Sequence, residues 1–178
     1  MIKYYVSVIF MMLCCTIKAQ YLAVKSNVLY LSTATLNVGL ETFLSKQYTL
    51  DVSGAYNPWQ YANGNMMKLW FIQPELRRWH CDTFAGHFYG LHAFYGEYNW
   101  SLFTDRRYQG HLTGGGLTYG YAKNFAVRWG FEASIGLGYA YLDYDKYKCG
   151  HCGKKIGAST KNYIGPTKIN FSLIYFLR

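Results

Sequence analysis

Residues 127–141, Val-Arg-Trp-Gly-Phe-Glu-Ala-Ser-Ile-Gly-Leu-Gly-Tyr-Ala-Tyr, alternate without a break between two kinds of side chain. Val127, Trp129, Phe131, Ala133, Ile135, Leu137, Tyr139 and Tyr141 are apolar or aromatic, whereas Arg128, Gly130, Glu132, Ser134, Gly136, Gly138 and Ala140 are charged or very small. Side chains alternate faces along a strand, so one face here is apolar over roughly 50 Å at ~3.3 Å per residue. Lipophilic bulk on one face, with glycine and opposite charges on the other, is the pattern of a strand in a transmembrane barrel.

The start of the chain fits export. Met1-Ile2-Lys3 supplies one charge, Tyr4 to Cys15 is apolar, and Ile17-Lys18-Ala19-Gln20 ends on a small residue before Gln20. This is the layout of a secretory signal peptide, although Ile17 stands where a small residue is preferred. Residues 1–19 are expected to be the signal peptide and 20–178 the barrel domain. Cys14 and Cys15 lack the preceding small residues of a lipoprotein signal. No later segment has the ~18 consecutive apolar residues of a membrane helix. Charged residues are 15% of the chain and aromatic ones 20%, with 19 Tyr and 18 Gly. Low charge and abundant Tyr and Gly, without a spanning helix, leave a closed barrel, the other structure that satisfies its backbone in lipid.

The net charge of +9 falls largely between strands, at Lys68, Arg106, Arg107, Lys123, Lys146, Lys148, Lys154, Lys155 and Lys161. Such loops attract anionic surfaces, including the phosphates of lipopolysaccharide, or are simply solvated beside a charged membrane. No nucleic-acid-binding module is recognisable, so nucleic acid is not an expected partner.

Turn chemistry divides the mature chain into eight segments: 23–31, 37–44, 48–57, 67–79, 86–98, 108–121, 127–141 and 163–178. The expected fold is all-β, an eight-stranded antiparallel transmembrane β-barrel with up-and-down meander topology. Pro74 inside the fourth segment predicts a bulge, because proline donates nothing to a ladder. Gly114-Gly115-Gly116 predicts close packing or sharp coiling in the sixth. At eight strands the lumen is filled by side chains rather than open. The inward set is Lys25, Arg77, Arg128 and Lys168 against Glu41, Asp51, Glu75 and Glu132, four charges of each sign. Unpaired charges in a dry interior cost several kcal/mol each, so a balanced structural ion network is expected there. A lipocalin-like soluble barrel, the competing architecture, turns its apolar face inward around a ligand and needs a polar exterior. The Gly, Ser and Ala on the second face of 127–141 are poor material for that exterior.

Chemistry-bearing motifs are few. Cys149-Gly150-His151-Cys152 lies in the expected loop Asp143–Lys161. It reads as a short disulfide, Cys149 to Cys152, stiffening an exposed loop in an oxidising compartment. It also reads as half a zinc knuckle without a second ligand pair, with Cys81 expected at the opposite membrane face. A redox centre of the thioredoxin kind is the third reading, although no βαβ pattern surrounds the motif. No metal site and no cofactor are expected. His87, His92 and His111 invite comparison with lipid-editing barrel enzymes that use Ser, His and a carboxylate, but no Gly-x-Ser-x-Gly is present. No catalytic residue is assigned, and the chain is expected not to be an enzyme. Tyr48, Tyr56, Trp59, Trp79, Trp100, Trp129, Tyr139, Tyr141 and Tyr163, near the expected strand ends, are expected to form interfacial girdles. Trp59 with Tyr61, and Trp100 with Phe103, are alternatively an exposed adhesive patch.

Six runs carry a resemblance: Lys25-Ser26-Asn27-Val28-Leu29-Tyr30, Asn37-Val38-Gly39-Leu40-Glu41, Ser53-Gly54-Ala55-Tyr56-Asn57-Pro58-Trp59, Gln73-Pro74-Glu75-Leu76-Arg77, Cys149 to Lys155, and Asn162 to Lys168. Together they resemble a Bacteroidetes family of small outer-membrane proteins known only as a domain of unknown function. The resemblance spans nearly all of the mature chain. It implies a barrel of the OmpA/OmpX kind in the outer membrane, and some relatives in fimbrial contexts. It brings no catalytic residues.

The expected function is therefore a non-enzymatic outer-membrane barrel with a structural, adhesion or surface-appendage-assembly role. The expected partners are outer-membrane lipid and lipopolysaccharide, the barrel-assembly machinery during biogenesis, and fimbrial or other surface proteins. The alternatives are a lipid-modifying outer-membrane enzyme of the acyl hydrolase class and a secreted lipocalin-like ligand carrier.

Overall fold

The computed structural model describes residues 22–60, 67–101, 107–148 and 153–177. The leader and the Cys149–Cys152 motif lie outside these residues.

Eight strands close into one antiparallel barrel in which each strand pairs with its neighbours in sequence and β8 returns to β1. They are β1 (Leu22–Asn27), β2 (Leu36–Ser45), β3 (Tyr48–Asn57), β4 (Met67–Trp79), β5 (Gly86–Trp100), β6 (Arg107–Asn124), β7 (Trp129–Tyr147) and β8 (Lys155–Leu177). Each strand follows its own alternation. Along β4, Gln73, Glu75, Arg77 and Trp79 are buried while Ile72, Pro74, Leu76 and Arg78 are exposed. The apolar face of β7 points outward, with Trp129 41% and Ile135 51% exposed, opposite to a lipocalin.

Three expectations about strands need correction. The first strand stops at Asn27, and Val28–Ser32 forms a short helix, α1. The Asn27 side chain accepts from the Leu29 N–H at 3.0 Å, an N-cap that turns the chain out of the ladder. Pro74 causes no bulge: the pairs Ile72–Tyr95 and Glu75–His92 keep one register across it. Register shifts fall instead at Phe43/Ser45, Gly136/Leu137 and Lys146/Tyr147. Finally, β7 and β8 pair from Trp129–Tyr175 to Tyr147–Lys155, so most of the expected loop Asp143–Lys161 is strand.

Two ends result. Short turns join β2 to β3, β4 to β5 and β6 to β7 at the lower end, where β1 begins and β8 finishes. At the upper end β4 to β8 stay paired through the rung Met67–Trp100–Tyr108–Lys146–Gly157, whereas β1 pairs with β8 only from Leu22–Leu177 to Asn27–Ser172, which leaves the upper part of β8 without a β1 neighbour in the ladder.

Candidate functional site

The lumen is layered. Its floor is apolar: Ala23, Trp79, Phe84, Phe88, Ala122 and Ile174 are buried together, with Phe43 and Phe176 against them. Phe84 reaches this floor from the β4–β5 turn at a positive φ of 66°. The Trp79 indole N–H donates to Thr49 Oγ1 at 2.9 Å, and Thr49 donates in turn to Glu41. That relay joins the floor to the charged layer above.

Arg77 is the hub of the charged layer. Nη1 donates to Glu41 Oε2 at 3.1 Å and to Glu132 Oε2 at 2.8 Å. Nη2 donates to Asp51 Oδ2 at 3.2 Å, Glu75 Oε2 at 3.0 Å and Glu132 Oε1 at 3.1 Å. The guanidinium lies 4.6 Å from the centroid of the Phe88 ring, which covers its lower side. Lys25 pairs with Glu41 and donates to Glu132 Oε2 at 2.5 Å. Lys168 pairs with Glu75, and Asn170 Nδ2 donates to Glu132 Oε1 at 2.8 Å. All seven charged groups of this layer are buried. Charge-assisted and bidentate bonds of this kind are the strong ones, and they offset the desolvation that burial costs.

The structure thus brings together Lys25, Glu41, Asp51, Glu75, Arg77, Glu132 and Lys168, and it does not bring in Arg128. Arg128 is exposed in the β6–β7 turn, where its carbonyl accepts from Phe176 N at 2.9 Å and Nη1 lies 3.4 Å from the Tyr175 hydroxyl. The Phe125 and Ala126 N–H groups bond the Trp129 carbonyl, so the turn claims position 128 before the strand begins. The layer therefore holds three cations against four carboxylates. Asp51 Oδ1 and Glu75 Oε1 are buried oxygens without a hydrogen bond, and Arg77 Nε is a buried donor without one.

Small residues make room for this packing. A Cβ at Gly90 would stand 2.1 Å from Glu75 Oε1, and one at Gly136 would stand 2.8 Å from His92 Cε1. In the glycine triplet, a Cβ at Gly114 would meet the Tyr139 carbonyl at 2.2 Å, the close approach that the triplet predicts.

His92 sits above the ions, with Nδ1 2.8 Å from Thr118 Oγ1 and Nε2 2.9 Å from Thr167 Oγ1. Both ring nitrogens are engaged by hydroxyls. His87 is outside, bonded to the Tyr119 hydroxyl at 2.8 Å. His111 is half exposed, 3.9 Å from Asp143. The three histidines stand apart, and His87 and His111 are on the outer or upper surface. Cys81 is an exposed free thiol in the β4–β5 turn at the lower end. Among the described residues no cluster of three metal-ligating side chains occurs.

Sequence reasoning missed an apolar layer above the ions. Leu69, Phe71, Phe94, Leu112, Ala140 and Leu142 line a cavity of about 440 Å³ above the ions. Its signal was present in β4, where the inward parity of Arg77, Glu75 and Gln73 continues into Phe71 and Leu69.

Outside, Tyr48, Tyr89, Tyr119, Tyr121 and Trp129 are exposed towards the lower end, and Tyr56, Trp70, Tyr95, Trp100 and Tyr139 towards the upper end. Val38, Leu40, Ile72, Leu91, Leu117, Ile135 and Ile169 are exposed between them. Outward positions of the described strands between these two belts carry no Asp, Glu, Lys or Arg.

No curated protein and no solved structure matches the chain. One family model does, over residues 5–177, and the chain therefore belongs to the family described as "Protein of unknown function (DUF3575)".

Proposed function

We propose that the chain is an outer-membrane β-barrel with a non-enzymatic role at the cell surface, in structure, adhesion or the assembly of surface appendages. The observation that carries the membrane part is the uncharged apolar band bounded by two aromatic belts. In water such a band would be a contiguous apolar patch far larger than a monomeric soluble protein tolerates. In a bilayer it is the lipid-facing surface, and the aromatic belts sit at the headgroups. Closure supports the same reading, since a barrel leaves no unpaired edge within the hydrocarbon.

The ion layer argues for a stabilising plug rather than a pore. Arg77 reaches four carboxylates carried on β2, β3, β4 and β7, and so ties the walls of the barrel to one another. The surface part of the proposal rests on the upper ends of β7 and β8, where Asp143, Asp145, Lys146, Lys155 and Lys161 bring charge to the paired strands. Paired strands of this kind present loops and a strand edge to partners. Lipopolysaccharide phosphates are a suitable anionic neighbour for Lys146, Lys148 and Lys154 at the upper end of β7 and β8.

Fractionation with outer membranes and heat-modifiable gel migration test the membrane part; protein that stays soluble without detergent overturns it. Cross-linking in native envelopes followed by pull-down tests the surface role, with fimbrial or other surface proteins as the expected catch. Phospholipase or deacylase turnover that disappears in His92→Ala or His111→Ala would replace this reading with the enzymatic one.

A further inference from the structure

We infer that the upper lumen is a binding site for one free fatty acid, which enters from the bilayer through a seam between α1 and β8. The inference rests on the membrane placement proposed above, because the seam meets lipid only in that placement.

The cavity is the first observation. Lumenal positions of a membrane barrel are ordinarily polar. Here Phe71, Phe94, Leu112, Ala140 and Leu142 point into the same space, directly above the charged layer. Its volume of about 440 Å³ lies in the range of small-molecule sites, ~300–1,000 Å³. A methylene takes about the room of a water molecule, ~30 Å³, so the space holds one chain of roughly a dozen carbons and not the two chains of a phospholipid.

The wall is the second observation. Above Asn27–Ser172 the backbone ladder between β1 and β8 ends, the Asn27 side chain accepts from Phe171 N at 3.3 Å and donates to the Ile169 carbonyl at 3.2 Å, and beyond these bonds α1 stands where β1 would continue. Helical backbone bonds along its own axis: the Tyr30 carbonyl accepts from Thr33 and Thr35, and that of Leu31 from Ala34. The Tyr30 and Leu31 carbonyls are thereby taken up within the turn and not by β8. Tyr30 of α1 and Pro166 of β8 both line the cavity, and proline has no N–H to offer across the gap. Immediately below, a space of about 30 Å³ is lined both by outward-facing Val38 and Ile169 and by lumenal Lys25 and Arg77. Val28, Leu29 and Leu31 are nearly half exposed on α1 and make its approach apolar.

Charge chooses the head group. Lys161 lines the cavity from an inward position opposite Leu142. Among the described residues no carboxylate lies within ion-pairing distance of it. A fatty acid carboxylate beside Lys161 and the Tyr163 hydroxyl, with its chain along Leu142, Phe94 and Phe71, satisfies both halves of the site.

The test uses the mature chain in phospholipid nanodiscs containing a trace of fatty acid with a diazirine at its methyl end. After illumination, adducts are mapped by peptide mass spectrometry. The expected result is adducts on Phe71, Phe94 or Leu142, in addition to those on lipid-facing Leu117 and Ile135. Ala140→Trp fills the cavity and is expected to reduce the inward adducts about ten-fold while sparing the outward ones. Leu112→Trp serves the same purpose if Ala140→Trp loses heat-modifiable migration. Lys161→Gln is expected to weaken inward labelling by the acid and not by its methyl ester. Adducts confined to outward residues, or inward adducts indifferent to both tryptophans, overturn the inference while leaving the membrane reading standing. Absence of outward adducts removes the membrane reading, and this inference with it.

Discussion

Both terminal nitrogens of Arg77 reach the carboxylate of Glu132 across the lumen, at 2.8 and 3.1 Å, a two-point bond between β4 and β7. The same guanidinium serves three further carboxylates, so its removal strands four buried negative charges with only Lys25 and Lys168 to meet them. Breaking a buried ion cluster by deleting one partner costs ~3–5 kcal/mol. Arg77→Leu is expected to lose about that much stability, read from urea unfolding of the protein refolded into lipid vesicles. Arg77→Lys is expected to recover only part of it, since a single ammonium cannot reproduce the planar fork.

The carboxylates are not equivalent. Glu132 receives Lys25, both Arg77 nitrogens and Asn170, whereas Asp51 has one bond from Arg77 and an Oδ1 without any. Three cations face four carboxylates, so one negative charge is in excess when all are ionised. Asp51→Asn removes that excess and keeps the shape. It is expected to leave the urea midpoint unchanged or raised, while Glu132→Gln lowers it. A fall for Asp51→Asn as large as that for Glu132→Gln would contradict this ranking.

Seven of the eight inward charges were legible because each stands on a strand whose alternate positions are apolar, and strand parity alone then decides its face. Arg128 shares the parity of Glu132 but precedes the first residue of β7. Parity has no force in a turn, whose backbone bonds rotate the side chain outward. The helix at Val28–Ser32 also had a signal, since Val28, Leu29, Tyr30 and Leu31 are apolar at both parities. Alternation ends there, and Asn27 is a capping residue type. The rise of β7 and β8 beyond the belts was illegible for a different reason. Beyond the aromatic belts neither face keeps to apolar residues, so Asp143–Tyr147 and Lys155–Lys161 lose the pattern while keeping the pairing. The apolar cup was hidden because parity gives the face of a residue and not its height in the barrel.

Glycine at 90 is demanded by the plug. The missing side chain is the space that Glu75 fills, a Cβ there standing 2.1 Å from Oε1 and 2.9 Å from Cδ. Gly90→Ala therefore displaces Glu75 from Lys168 and Arg77, in the manner of an overpacked core. A loss of ~1–3 kcal/mol is expected in the same unfolding measurement. Gly157→Ala is the control: nothing lies within 4 Å of a Cβ at that position, and no comparable loss is expected.

Above the upper aromatic belt the pairing of β7 with β8 is joined by an ion pair that titrates. Lys155 Nζ lies 2.7 Å from Asp145 Oδ1, on the rungs where Asp145 faces Ala158 and Lys155 faces Tyr147. This hydrogen bond, ahead of the smaller opposing effect of desolvation, raises the Lys155 pKa above its ordinary 10.5. A raised lysine contributes its share of stability fully below the ordinary value and loses it as pH climbs through the raised one. The contact is therefore expected to hold at neutral pH and through pH 10.5, and to release only in more alkaline solution. The Lys155 Cε resonance, followed by NMR across that range in detergent micelles, reads this directly. Asp145→Asn is expected to move the midpoint down towards the ordinary value. An unchanged midpoint would show that Asp145 does not hold the ammonium in solution. Lys155 is exposed and Asp145 half-buried, so the pair is screened by solvent, and the effect leaves the urea midpoint of the barrel untouched.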